Sequence, residues 1–205
     1  MYLNCHSYHS LRYGTIPLVD LVNEAASKGV TAMALTDINT VTGIYDFVKE
    51  CQTVKIKPLV GIEFRDNNKL LYIGLARSKE GLGEMCRFLT HHNFSKSALP
   101  QCAPSFSNVS IIYPIDNIPS KLKDNEQIGI NSEQLSLLYN VDWKRRVDRM
   151  VILQPVTFRS EKEYMLHKVL RAIDSNTLLS KLTHNDYCKD SESMMLLSEL
   201  IEKYN

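Results

Sequence analysis

The sequence carries no excess charge, no paired cysteine motif and no long apolar run. Its formal net charge is +1 over 205 residues, which removes any global electrostatic reason to seek nucleic acid or an anionic membrane as a direct partner. No stretch is long and apolar enough to span a bilayer. The start of the chain has neither a basic flank nor a cleavable apolar segment, so neither membrane insertion nor a leader is expected. The five cysteines, Cys5, Cys51, Cys86, Cys102 and Cys188, are odd in number and scattered, with no CxxC. That pattern predicts free thiols in a reducing cytoplasm, not a disulfide scaffold. A Walker loop, a G-x-S-x-G elbow and a dinucleotide fingerprint are missing too, which leaves nucleophilic and nucleotide-dependent chemistry without support. There is no internal repeat and no low-complexity tract.

What is present is an ordinary globular composition, 44% apolar and 23% charged, and a length that suits one domain over residues 1–205. The first hundred residues alternate between strand-like and helix-like patterns. Strands are expected at 2–6, 31–36, 57–64 and 70–76, and helices at 17–28, 41–53 and 78–92. Pro17 suits a first helical turn and Gly29 a C-terminal cap. Residues 95–108 read as a surface connection. Strands follow at 109–113 and 127–130, then a helix near 132–138 and a strand at 150–153. Ser160 and Glu163 form a capping-box pattern that opens a helix to about Asp174. Residues 191–204 are amphipathic through Met194, Leu197 and Ile201. Strands alternating with crossover helices predict an α/β fold with a mainly parallel sheet, open or closed into a barrel.

In such folds, functional groups gather where strands end. Asn4-Cys5-His6 ends the first apolar run, Thr36-Asp37-Ile38-Asn39 the second and Gly61-Ile62-Glu63 the third. His6, Asp37 and Glu63 therefore share one mouth. A hydrolase that uses two or three metals needs a dense His/Asp/Glu cluster around an activated water, and these three residues cannot build one. Cys5, His6 and His9 are a further zinc possibility, opposed by strand alternation, which turns Cys5 away from the face His6 uses. His91-His92 suits a helix C-terminus, His167 a packed position within a helix, and His184 a polar turn. Trp143-Lys144-Arg145-Arg146 is a basic cluster with an aromatic that offers a nucleic-acid contact, or a solvated approach to the strand that follows.

Taken together these residues resemble the PHP (polymerase and histidinol phosphatase) domain that opens the alpha subunit of bacterial DNA polymerase III. Asn4-Cys5-His6-Ser7 and Ser10-Leu11-Arg12-Tyr13-Gly14 are similar to the family's H-x-H-S and S-L-L-D-G. Ala34-Leu35-Thr36-Asp37-Ile38 with Gly43 is similar to A-L-T-D-H followed by G, and Ile56–Glu63 to I-K-P-I-I-G-x-E. Leu75–Gly81 resembles L-A-K-N-x-E-G, and the likeness fades after Asn93 before returning around Glu163–Ile173.

The resemblance implies a distorted TIM-like β/α barrel of about seven strands with a metal site at its mouth. It also implies that the site is dismantled. His6 and Glu63 are kept. Asn4 stands for the first histidine, Tyr13 for an aspartate, Ile38 for a histidine, Leu71 for another, and Pro155 and Thr157 for a late D-x-H pair. Such replacements are poor ligands or none. The expectation is a non-catalytic structural domain, inactive by itself and with no cofactor, packed against the remaining domains of a parent DNA-directed DNA polymerase and meeting DNA only through that assembly. The alternatives are a reduced phosphoesterase or proofreading exonuclease holding zinc, manganese or iron on His6, Asp37 and Glu63, and a nucleic-acid-binding module working through Trp143, Lys144, Arg145 and Arg146.

Overall fold

A computed structural model describes residues 1–204. One eight-stranded sheet organises it, in the spatial order β7-β6-β5-β4-β3-β2-β1-β8. The strands are β1 (Tyr2–Cys5), β2 (Ala32–Leu35), β3 (Lys57–Asp66), β4 (Lys69–Ala76), β5 (Val109–Pro114), β6 (Glu126–Ile130), β7 (Met150–Ile152) and β8 (Pro155–Val156). Only β4 runs against its neighbours, because the two-residue turn at Asn67-Asn68 sends the chain straight back beside β3. Asn67 takes a positive φ of 51° there, a conformation asparagine tolerates better than most residues. All other pairings are parallel, as crossover helices demand.

The two edges of the sheet belong to one stretch of chain. β7 pairs with β6, and Leu153 N–H continues that ladder to the Ile130 carbonyl at 2.8 Å. Two residues later Pro155 and Val156 pair with Asn4 and Cys5 of β1. Residues 150–156 thus form a single split strand that curls the sheet round on itself. Counted once, it gives the seven strands of a distorted barrel.

Helices α1 (Leu18–Ser27), α2 (Ile44–Thr53) and α3 (Lys79–Ser95) cover the outside. Under α1 and α2 lies a core of Leu21, Val22, Met33, Leu35, Phe47 and Cys51, which also takes in Cys5. Under α3, Ile62, Phe64, Tyr72, Met85 and Tyr113 form a second. The barrel interior is filled by Ile73, Ile112 and Leu153 with Leu3, Leu70 and Leu75 packed against them. Both periodicities follow from the sequence pattern, 3.6 on the helices and 2 on the strands.

Two expected helices differ. Residues 132–139 wind as a 3-10 helix capped by Asn131 and Gln134. The C-terminal helix α6 (Leu197–Lys203) begins six residues later than its amphipathic pattern suggests. The reason is competition for the backbone: Glu192 O accepts from Thr157 N–H, and Met195 N–H and C=O both bond the Tyr2 hydroxyl. A segment so engaged cannot also close i→i−4 bonds. Between these lie α4 (Val141–Lys144) and α5 (Glu161–Asp174), the latter opened by the Ser160 side chain accepting from Glu163 N–H as its sequence predicts.

Candidate functional site

Strand direction brings the C-terminal ends of β1, β2, β3 and β8 to one mouth. β1 delivers Asn4 and, one residue past its end, His6. The stretch after β2 delivers Asp37 and Ile38, and Ile38 bridges Glu63. β3 delivers Glu63 and Arg65, two residues apart and hence on one face. The residue after β8 is Thr157. Asn4, His6, Glu63 and Thr157 are all buried, Glu63 fully.

Their polar atoms are engaged with one another. Asn4 Nδ2 donates to Glu63 Oε2 at 2.8 Å, while Asn4 Oδ1 accepts from Thr36 at 2.9 Å. His6 Nε2 lies 2.9 Å from the same Glu63 oxygen, and Nδ1 lies 3.0 Å from Thr157 Oγ1. The Thr157 hydroxyl donates to Glu192 at 2.8 Å. Arg65 Nε donates to the other Glu63 oxygen, and Arg65 Nη2 to the Tyr13 hydroxyl at 3.1 Å. The guanidinium carbon lies over the Tyr13 ring, 4.3 Å from its centroid, with that of Arg171 at 5.6 Å, contacts of the cation–π type. Asn39 fixes the backbone beneath: its side-chain amide accepts from Arg65 N–H at 3.0 Å and donates to Arg65 C=O at 2.9 Å.

The charges follow from this arrangement. Burial pushes the Glu63 carboxyl up, but Arg65, His6 and the bonds from His6 and Asn4 outweigh it and hold it at about 2. Burial raises Glu192, opposed by the Thr157 hydrogen bond. Asp37 is raised by burial against bonds from Ser10 and Ser7. Those bonds define its role: Ser7 N–H, Ser7 Oγ and Ser10 Oγ all donate to Asp37, at 2.7, 2.7 and 2.6 Å. Asp37 thereby moulds the loop of residues 7–14, whose close return is possible because Gly14 has no side chain; a Cβ there would lie 1.9 Å from the Ser7 carbonyl oxygen.

A model of the PHP domain family matches residues 3–114, more than half of the chain. The chain belongs to the PHP domain family. The DNA polymerase III subunit alpha of Staphylococcus aureus (strain Mu50) is 26% identical to it over 187 residues, covering 87% of this chain and 17% of that protein. An error-prone DNA polymerase of Symbiobacterium thermophilum is 34% identical over 90 residues, covering 44% of this chain and 8% of its relative. The PHP chain therefore spans a small fraction of the curated relatives it matches. Among solved structures, an amidohydrolase from Chromobacterium violaceum aligns at 12% identity and a TM-score of 0.38, over 86% of this chain and 84% of that one, a likeness too slight to carry an inference.

In this PHP domain the positions singled out from sequence separate into two groups. Asn4, His6, Tyr13, Glu63 and Thr157 converge. Ile38 joins them at the edge, packed with Tyr13, Phe158 and Cys188, and Pro155 contributes backbone beside Asn4. Leu71 does not converge. It packs in the core under α3 with Ile62 and Phe64, next to a register break between Phe64 and Arg65. Cys5 lies in the α1–α2 core, away from His6, and His9 Nε2 is buried without a hydrogen-bond partner among the described residues. His167 is a packed histidine: Nδ1 meets the Tyr13 carbonyl at 2.7 Å and Nε2 accepts from Cys188 N–H at 3.0 Å, and burial holds it down at about 4. His184 meets the Tyr187 hydroxyl in its turn, and His92 sits in the last turn of α3.

Trp143 to Arg146 occupies α4 and the residues after it, leading to the N-terminal end of β7, opposite the mouth. Lys144, Arg145 and Arg146 are exposed, and Arg146 stacks 5.8 Å from the Trp143 ring. Sequence reasoning missed Arg65, Asn39 and Glu192. For Arg65 a signal existed: Glu63 and Arg65, opposite charges at i and i+2 on a strand, share a face by alternation.

Proposed function

We propose that this PHP domain is a non-catalytic scaffold of a replicative polymerase chain of the DNA polymerase III alpha type. It packs against the other domains of that chain in the cytoplasm, meets DNA only through the assembly and holds no metal. One observation carries the reading: the mouth neutralises itself. Both Glu63 oxygens are taken by Asn4, His6 and Arg65, both His6 nitrogens are engaged, and both Asp37 oxygens are bound to the 7–14 loop. Among the described residues, no group of three or more His, Cys, Asp or Glu is placed to hold a metal ion. The residues present do not fit a multinuclear metal centre, which needs clustered carboxylates and imidazoles with free lone pairs. The matching polymerase relatives support the placement within a longer chain.

Two measurements test this. Protein purified without chelators should contain zinc, manganese and iron far below one equivalent, and should leave p-nitrophenyl phosphate and a single-stranded oligonucleotide intact. The chain should also co-sediment with a DNA polymerase III alpha subunit from which the matching residues have been removed. Stoichiometric metal that disappears in His6→Ala would overturn the metal-free reading, and failure to co-sediment would overturn the scaffold.

A further inference from the structure

We infer that Arg65 is the resident cation of the barrel mouth, a tethered replacement for metal that excludes divalent cations even when the missing ligands are restored. The inference rests on the metal-free reading above and is independent of the polymerase partner.

Removing ligands from a metal site solves one problem and creates another. Glu63 stays fully buried, and a buried carboxylate requires a countercharge and hydrogen bonds. Arg65 supplies the charge from the same strand and the same face, with its Nε on Glu63 Oε1. Its position is over-determined. Tyr13 holds the guanidinium by accepting a hydrogen bond from Nη2 on its hydroxyl and by its ring face, and the Asn39 amide clamps the main chain of residue 65 from both sides.

Tyr13 is itself a position where the family resemblance places a carboxylate ligand. A ligand position has thus become the platform that seats the replacement cation. At position 13 a phenol stands where the resemblance implies a carboxylate, and that phenol seats the Arg65 guanidinium.

Arg65 acts against metal directly. A zinc ion on a carboxylate oxygen sits at ~2.0–2.2 Å, inside the space the Arg65 N–H groups fill beside Glu63. A dication there would also face a guanidinium with little water between them, and the repulsion in such a site is poorly screened. Loss of ligands alone predicts that putting ligands back restores binding. Exclusion by Arg65 predicts that it does not.

The test compares zinc and manganese binding by isothermal titration for four proteins: wild type, Asn4→His/Ile38→His, the same pair with Arg65→Gln, and the same pair with Arg65→Lys. Circular dichroism checks that each is folded. Wild type and the double variant should bind neither ion. The Arg65→Gln version should bind at least 100-fold more tightly than the double variant. The Arg65→Lys version, which keeps a tethered cation and is the safeguard against misfolding, should bind no better than the double variant. Equal behaviour of the double variant and its Arg65→Gln derivative, whether both bind or neither does, overturns the inference. Tight binding by wild type would instead overturn the metal-free reading on which it rests.

Discussion

Replacing Glu63 with glutamine removes the one carboxylate on which Asn4, His6 and Arg65 converge, and its effect should depend on pH in a calculable way. Glu63 is held at about 2 in the folded protein against 4.5 for the free group. A depressed carboxylate contributes stability that is present above the unfolded value and is lost as pH falls through the folded one. The shift of roughly 2.5 units corresponds to about 3 kcal/mol at pH 7, at 1.36 kcal/mol per unit. Most of it persists near pH 4.5, and about 2 kcal/mol of it is gone by pH 3. Asp37 and Glu192 are shifted upward by burial, so they act with the opposite sign, gaining stability as pH falls, but they do so in both proteins and cancel in the difference. Glu63→Gln also strands the Arg65 charge, and breaking a buried pair from one side costs about 3–5 kcal/mol. Urea unfolding of wild type and Glu63→Gln at pH 7, 5, 4 and 3 measures the gap directly. The gap should be widest at pH 7, still nearly full at pH 5, and about 2 kcal/mol narrower at pH 3. A gap that stays constant over this range would refute the claim that Glu63 is an ion held by Arg65 and His6.

Four further outcomes are expected. If the proposal of a metal-free mouth holds, titration of Ile38→His with zinc should show no tight site, and EDTA should leave the melting curve of the unmodified protein in place, because a metal-free protein has no bound cation to stabilise its folded state by mass action. Asn39→Ala should destabilise by about 1–3 kcal/mol in urea melts, because the N–H and C=O of Arg65 lose their side-chain partners in a partly buried setting. Gly14→Ala should lower the melting temperature clearly, at a cost of about 1–3 kcal/mol or more for overpacking, because its new methyl group meets the Ser7 carbonyl.

Much of the barrel was legible in its sequence because its first strands carry short, buried-type apolar runs that end in polar residues. Alternation placed Cys5 and His6 on opposite faces, and the α1–α2 core indeed takes Cys5 while the mouth takes His6. Thr157 was named for its position, yet its bond to His6 spans 151 residues, a separation no local pattern encodes. Glu192 was hidden for a related reason. The apolar spacing of Met194, Leu197 and Ile201 mimics a helix, whereas the tertiary bonds of Glu192 and Met195 hold residues 192–195 outside it. Leu71 misled because the break in pairing between Phe64 and Arg65 changes which β4 residues face the mouth, and such a break leaves no mark in a linear pattern.

The split strand at residues 150–156 has a consequence for how the protein is made. β1 is made well before its partner, because one of its two edges is covered only by β8, some 150 residues later in the chain. Until Pro155 and Val156 emerge, the Asn4–Cys5 edge presents unpaired backbone of the kind that recruits stray strands. The same late segment brings Thr157 to His6. Closure of the sheet and arrival of Thr157 at His6 are therefore one event, and a nascent chain interrupted before it would expose both a bare strand edge and an imidazole without its Thr157 partner. Vectorial synthesis at roughly 5–20 residues per second keeps that edge open for roughly 8–30 seconds.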